Sequence, residues 1–155
     1  MTDALKIIID DLNGQEIAAL LQAHLELTRS LSPACSVHAL DIDALRKPTI
    51  TLWSGWQGGE ILGCVALSQM DDTQGEIKSM HTAKAARGKG IAAQMLTHLE
   101  ATARARNLTR LSLETGSQPA FAPARVLYEK FGYEACPPFG DYVEDPHSYF
   151  MTKVI

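Results

Sequence analysis

Apolar and polar positions along this chain follow two periods, and the switches between them mark its elements. Residues 5–10, Leu-Lys-Ile-Ile-Ile-Asp, are β-branched and apolar enough for a first strand. Asn13 and Glu16 stand at a capping-box spacing ahead of Ile17, Leu20, Leu21, His24 and Leu25, which recur at helical intervals. Ser30-Leu31-Ser32-Pro33 breaks that helix, and residues 39–45 predict a short second helical turn ending before Lys47-Pro48. From Thr49 the pattern turns to strands: Ile50, Leu52 and Trp53, then 61–67, divided by Gln57-Gly58-Gly59-Glu60, a hairpin signature. Asp71-Asp72-Thr73-Gln74-Gly75 turns into a further strand over 76–82, so three antiparallel strands follow one another.

Helical period returns with Ile91, Met95, Leu96, Leu99 and Ala103 on one face, and Arg104 and Arg106 close that helix where cations suit its dipole. Residues 109–114 alternate as a strand. Pro123 then opens a helix carrying Ala124, Leu127, Tyr128 and Phe131, with Gly132 placed for a left-handed C-terminal turn. Short strands near 133–136 and 149–154 complete seven strands. The order predicts an α/β (α+β) fold: one mixed, mostly antiparallel sheet with helices on its faces. The stretch from Thr82 through the Ile91 helix to Leu111 has the length of a crossover, so the strands it joins are expected to be parallel.

Composition narrows the class. At 155 residues, 46% apolar and 21% charged, the chain is expected to form a single domain over 1–155 with a packed core. A net charge of −4 offers no basic face for nucleic acid, and no apolar run is long enough to cross a membrane. Cys35, Cys64 and Cys136 are odd in number and scattered, which predicts neither a disulfide framework nor a metal cluster and fits a reducing cytoplasm. His24, His38, His81, His98 and His147 show no metal-ligand spacing. An N-terminus without a basic region and apolar core predicts no leader peptide.

The chemistry concentrates in Arg87-Gly88-Lys89-Gly90-Ile91-Ala92, a basic glycine loop between a strand and a helix. Glycines let the backbone approach a bulky ligand, and the helix start presents unpaired N–H groups to an anion. A Walker loop is excluded because Ile91 follows Gly90 where Lys is needed. Gly88-x-Gly90-x-x-Ala93 satisfies a dinucleotide fingerprint, with Glu114 as a ribose-binding acid, but residues 83–87 separate strand from glycine and too few residues follow for a doubly wound sheet.

Together with the strand order, residues 87–92 resemble the pyrophosphate loop of the GCN5-related N-acetyltransferase (GNAT) family, [Q/R]-x-x-G-x-[G/A]. Ala124-Arg125-Val126-Leu127-Tyr128-Glu129-Lys130-Phe131-Gly132-Tyr133 is similar to that family's A-x-x-L-Y-E-K-x-G-F signature. The resemblance implies a seven-stranded sheet flanked by about four helices, with a central parallel strand pair splayed to admit acetyl-CoA. It implies a diphosphate on the backbone of Arg87, Gly88, Lys89, Gly90, Ile91 and Ala92, the pantetheine arm beside Met80, His81 and Thr82, and no metal. It departs from the family at Phe121, where Asn is frequent, and in lacking a linker Pro at Lys84-Ala85.

By the same resemblance, Tyr128 is expected to protonate the departing thiolate and Glu76, eleven positions ahead of Arg87, to take the ammonium proton. Tyr128 also continues an apolar face, and Glu76 has Lys78 within reach as an ion-pair partner; both structural roles stay open. Glu114 is a reserve base. A backbone N–H near Met80 or His81 would hold the thioester carbonyl. Acceptor specificity is expected from 30–38 and from 137–146, where Phe139 and Tyr142 mix with Asp141, Glu144 and Asp145, as in an amine pocket or in a rigid acidic surface loop. The expected activity is direct acetyl transfer from acetyl-CoA to a small-molecule primary amine in a ternary complex. A protein-lysine or N-terminal acetyltransferase, or a non-catalytic acyl-CoA sensor, is the alternative. A homodimer is compatible with the resemblance; nucleic-acid and membrane partners are not expected.

Overall fold

The computed structural model describes residues 4–33 and 41–155. Its strands are β1 (Lys6–Ile9), β2 (Ile50–Gln57), β3 (Glu60–Gln69), β4 (Gln74–Thr82), β5 (Arg110–Gly116), β6 (Glu134–Ala135) and β7 (Ser148–Val154). Its helices are α1 (Gln15–Leu31), α2 (Ile42–Leu45), α3 (Ile91–Ala105) and α4 (Ala122–Lys130). The strands form one mixed sheet in the order β1-β2-β3-β4-β5-β7-β6. Only β4 and β5 are parallel, joined by the crossover through α3; the other pairings are antiparallel. The fold class expected from the sequence is the one observed.

Both faces of the sheet are covered, which explains why β3 reads as an almost continuous apolar run. Val65 and Leu67 face a core with Ile91, Met95, Leu96 and Leu99 of α3, Leu111 and Leu113 of β5 and Tyr128 of α4. Cys64 and Ala66, one register step away, face a second core with Ile17, Leu20 and Leu21 of α1. Each fully buried aliphatic side chain contributes about 1.5–3 kcal/mol relative to exposure, so α3 is held by its apolar stripe. Its one buried acid, Glu100, accepts from Lys153 Nζ at 3.0 Å and Tyr133 Oη at 2.7 Å, tying the helix to β7 and to the turn after α4.

The central strand pair opens. β4 pairs with β5 only from Gln74 to Ile77 against Arg110 to Leu113. Beyond that point β4 runs on to Thr82 and β5 to Gly116, so the two diverge as a fork. A bulge re-aims β4 there: its register against β3 passes from Ala66↔Lys78 to Cys64↔His81, and Ser79 takes a left-handed φ of 53°.

Some local expectations are corrected. Asn13 does not cap α1; the N-cap is Gly14, without a side-chain cap. Asn13 instead accepts from Arg46 Nη1 at 3.2 Å, and Asp10 and Asp11 take the N–H groups of Leu12 and Asn13 in tight turns. These local bonds fix residues 10–13 before the helix starts. Helix α2 begins at Ile42, where Asp41 accepts from Ala44 N at 2.9 Å. The earlier part of that expected turn, with Cys35 and His38, lies outside the described residues. β5 extends two residues past the expected strand, to Gly116, because β7 pairs with it throughout.

Candidate active site at the fork of β4 and β5

The glycine loop lies between a 3-10 turn, Lys84–Ala86, and α3. Ala86 is 1% exposed and anchors the turn, whereas Arg87, Gly88, Lys89 and Gly90 are exposed. Gly88 and Gly90 have φ of 79° and 77°, and no atom lies within 4 Å of where a Cβ would stand on either. Glycine is required by conformation here, and the open space leaves the backbone approachable. Gly90 caps α3 without a side-chain acceptor, so the first N–H groups of the helix remain available to an anion. Ile91 is buried in the core and Ala92 is half-buried, which fixes the helix start against the sheet. These features fit a phosphate group: an exposed loop with two left-handed residues continues into an uncapped helix.

Between the tines of the fork is a cavity of about 140 Å³. Glu76, Lys78, Ser79 and Met80 line it from β4, Glu114 and Gly116 from β5, Phe121 and Tyr128 from the α4 side, and His24 and Thr28 from α1. Tyr142 closes it from the 137–146 segment. Tyr128 is 5% exposed, and burial pushes its phenol well above the ordinary tyrosine range, so it holds its proton.

On the β4 side of the cavity stands a closed polar triangle. Lys78 Nζ donates to Glu76 Oε2 at 3.1 Å and to Tyr142 Oη at 2.8 Å, while Tyr142 Oη donates to Glu76 Oε2 at 2.6 Å. The ion pair is largely withdrawn from solvent, with both side chains 12% exposed. Burial first, and then the negative fields of Glu76 and Glu114, push the Tyr142 phenol up, so it too remains neutral.

A third wall is uncharged. His24 Nδ1 and His81 Nδ1 are 3.2 Å apart with rings edge to face, so one imidazole donates and the other accepts. Burial lowers both to about 4; His81 further lowers His24, and Arg87 further lowers His81. His81 is thereby turned into the protein toward α1, and only His24 of the pair lines the cavity.

The other candidate residues divide clearly. Met80 lines the cavity, and Thr82 is half-buried where β4 pairs with Gly63 of β3. Lys89 is exposed. Cys64 is fully buried, its thiol pushed up to about 12 by burial and donating to Ser79 O at 3.3 Å, as expected of a packing residue. Among the described residues no group of His, Cys, Asp and Glu is arranged to hold a metal ion. In the 137–146 segment only Tyr142 reaches the cavity; Asp141 and Glu144 are exposed, and Asp145 accepts from His147 N in a turn.

Three features escaped sequence reasoning. The Tyr142–Glu76 bond joins residues 66 apart, and its only local trace is the three-residue spacing of Phe139 and Tyr142, which stack edge to face. The histidine pair joins α1 to β4 across 57 residues. Arg125, inside the second motif, donates to Gly116 O at 2.6 Å and Gln118 O at 3.1 Å, and Gln118 donates to Leu31 O at 2.9 Å; this fixes the β5–α4 turn against the end of α1. Phe121 occupies a cavity wall beside Gly116.

The family profile described as "Acetyltransferase (GNAT) family" matches residues 17–133. The chain is 51% identical over 147 residues to YsnE of Bacillus subtilis (strain 168), named an uncharacterized N-acetyltransferase, covering 95% of this chain and 97% of that one. It is 45% identical over 146 residues to YedL of Escherichia coli (strain K12), named likewise, covering 94% and 92%. Among solved structures, a Klebsiella pneumoniae protein described as an acyl-CoA N-acyltransferase superposes with a TM-score of 0.79 at 28% identity, covering 97% of each chain. A GNAT family acetyltransferase from Elizabethkingia anophelis, solved with acetyl-CoA bound, shares the fold with a TM-score of 0.72 at 20% identity, covering 97% and 98%. With its forked sheet and glycine loop, the chain belongs to the GNAT acetyltransferase family and is an N-acetyltransferase.

Proposed function

We propose that residues 1–155 act as one N-acetyltransferase domain that binds acetyl-CoA across the fork of β4 and β5 and transfers its acetyl group directly to a primary amine of a small molecule. The observation that carries this reading is that Glu76 of β4 and Tyr128 of α4 line one cavity at the fork, in a chain whose α3 starts from an exposed glycine loop. The backbone of Arg87, Gly88, Lys89, Gly90, Ile91 and Ala92 holds the diphosphate, and the divergent end of β4 at Met80, His81 and Thr82 holds the pantetheine arm. Acetyl-CoA supplies the activated acyl group as a thioester.

Glu76 takes a proton from the acceptor ammonium and passes it to solvent, leaving a neutral amine. The amine nitrogen forms a bond to the acyl carbon and the C–S bond breaks. Tyr128 gives its proton to the departing thiolate and recovers one from the acetylated nitrogen, so the products are an amide and a thiol. Lys78 and Tyr142 orient the Glu76 carboxylate for the first step. The cavity of about 140 Å³ beside Glu76 suits a small primary amine. In keeping with this chemistry, the enzyme acts in the cytoplasm, where its cosubstrate is made available.

The test is thiol release from acetyl-CoA across a panel of small primary amines, lysine peptides and folded proteins. Turnover confined to small amines supports the reading; modification of folded proteins only would move the acceptor class to protein lysines. Binding without turnover on any acceptor would point to a sensor.

A further inference from the structure

Three residues of the α1 segment line the cavity at one-turn intervals: His24, Thr28 and Ser32. Ser32 is the C-cap, and its N–H still donates to Thr28 O at 3.1 Å, so the stripe stays on one helix face to its end. All three are uncharged, and each makes a bond within the protein that fixes what it can still offer. Thr28 Oγ1 donates to Leu25 O at 3.0 Å; its one proton is committed, and toward a ligand it can only accept. Ser32 Oγ accepts from Gln118 Nε2 at 2.9 Å, and among the described residues its own proton goes to no other group, so it can donate. His24 shares one proton with His81 across 3.2 Å and is held neutral by burial, so it adds no charge to this face.

A hydrogen-bond acceptor and a donor one turn apart are the complement of a single hydroxyl. Residues four apart on a helix have Cβ atoms about 5–6 Å apart, and a hydroxyl that accepts from one oxygen and donates to another bridges up to roughly 5.5 Å at ordinary O–H···O lengths. A carboxylate could accept from Ser32 but has no proton for Thr28, and an alkyl chain would leave both oxygens without the bonds they make to water. The face is set before a ligand arrives: Gln118 also donates to Leu31 O at 2.9 Å, and Arg125 donates to Gln118 O at 3.1 Å, which pins the end of α1 to the turn before α4. Glu76 lines the same small cavity, so one short molecule spans from the base to this face. We propose that the amine substrate carries a hydroxyl group, which donates to Thr28 Oγ1 and accepts from Ser32 Oγ while its nitrogen lies beside Glu76. The inference rests on the small-amine reading above and deepens it: the substrate class is a short amino alcohol.

Rates of N-acetylation of matched amines test it: ethanolamine against propylamine and propanolamine against butylamine, with β-alanine as the carboxylate arm. The better amino alcohol is expected to exceed its alkyl counterpart by about 10- to 100-fold in kcat/KM. Thr28→Val and Ser32→Ala should each cut that preference by about three- to tenfold. Thr28→Ser and Ser32→Thr, which keep the hydroxyl, should retain most of it. A merely structural role would slow both members of a pair alike and leave the preference standing. Equal rates for the paired amines, faster turnover of β-alanine than of either amino alcohol, or a preference untouched by both hydroxyl deletions would overturn the inference while leaving the small-amine reading intact. Acetylation of no small amine at all would overturn that reading and this inference with it.

Discussion

Tyr128 and Glu76 are held in opposite ways, and their variants should fail differently. Tyr128 sits among apolar neighbours that keep its phenol protonated, so Tyr128→Phe removes a proton and almost no packing. Its kcat with acetyl-CoA is expected to fall by roughly 10²-fold or more with the fold intact, checked by steady-state thiol release beside circular dichroism. Glu76 is held by two donors, Lys78 Nζ and Tyr142 Oη. Tyr142→Phe should therefore disturb the base without touching the acid, lowering kcat/KM for the amine more than the affinity for CoA. The Glu76–Lys78 ion pair was legible from their i, i+2 spacing on a strand. The Tyr142 contribution was not, because an aromatic in an acidic loop reads equally well as surface until the chain is closed on itself. The bulge at Ser79 was equally silent in the sequence, since a serine in a strand carries no mark of one.

At the scale of elements, the loop before α3 and the fork behave as separable devices. Gly88 and Gly90 are left-handed in open space, so Gly90→Ala meets no steric wall and pays only for its conformation. It should cost about 1–2 kcal/mol of stability and weaken CoA binding, read by urea unfolding and calorimetry together. The His24–His81 pair joins α1 to the bulged half of β4 and makes its own prediction. Both imidazoles have folded pKa values of about 4, below the unfolded value of 6.5, so the unfolded chain binds more protons between those limits. Stability from this pair is complete above pH 6.5 and is lost as pH falls toward 4. Thermal unfolding followed from pH 7 to pH 4 should show a declining Tm, and the decline should flatten in the His24→Gln, His81→Gln double variant. Residues 91–103 announced α3 by period alone because their stripe meets the core directly. The start of α1 was misread because Arg46, distant in sequence, competes for the capping side chain Asn13.

Across the whole molecule, the parallel pairing of β4 and β5 could be followed from the crossover length, since a right-handed βαβ connection leaves little freedom, whereas the place of β7 between β5 and β6 could not. What could not be followed is how the layers lock. Glu100 lies 4% exposed in the α3 core and serves Lys153, Tyr133 and, at 3.9 Å, Arg104. Removing it strands a lysine on β7 and a buried phenol, so Glu100→Ala is expected to destabilise the fold by about 3–5 kcal/mol in chemical denaturation. That lock holds the helix whose first turn forms the diphosphate site, so the variant should weaken CoA binding even though Glu100 is remote from the fork.

The same architecture makes one claim above all: that the two sides of the fork form a single reaction centre for acyl transfer to an amine. It is tested most directly by measuring amine-dependent thiol release from acetyl-CoA, with mass spectrometry of the acceptor, for the unsubstituted protein, Tyr128→Phe and Glu76→Gln. The expected result is an N-acetylated small amine formed in step with the thiol, with both variants still binding CoA but slowed by about 10²-fold or more. Acetyl-CoA binding with no acceptor acetylated, or variants as fast as the parent where chemistry limits turnover, would contradict it.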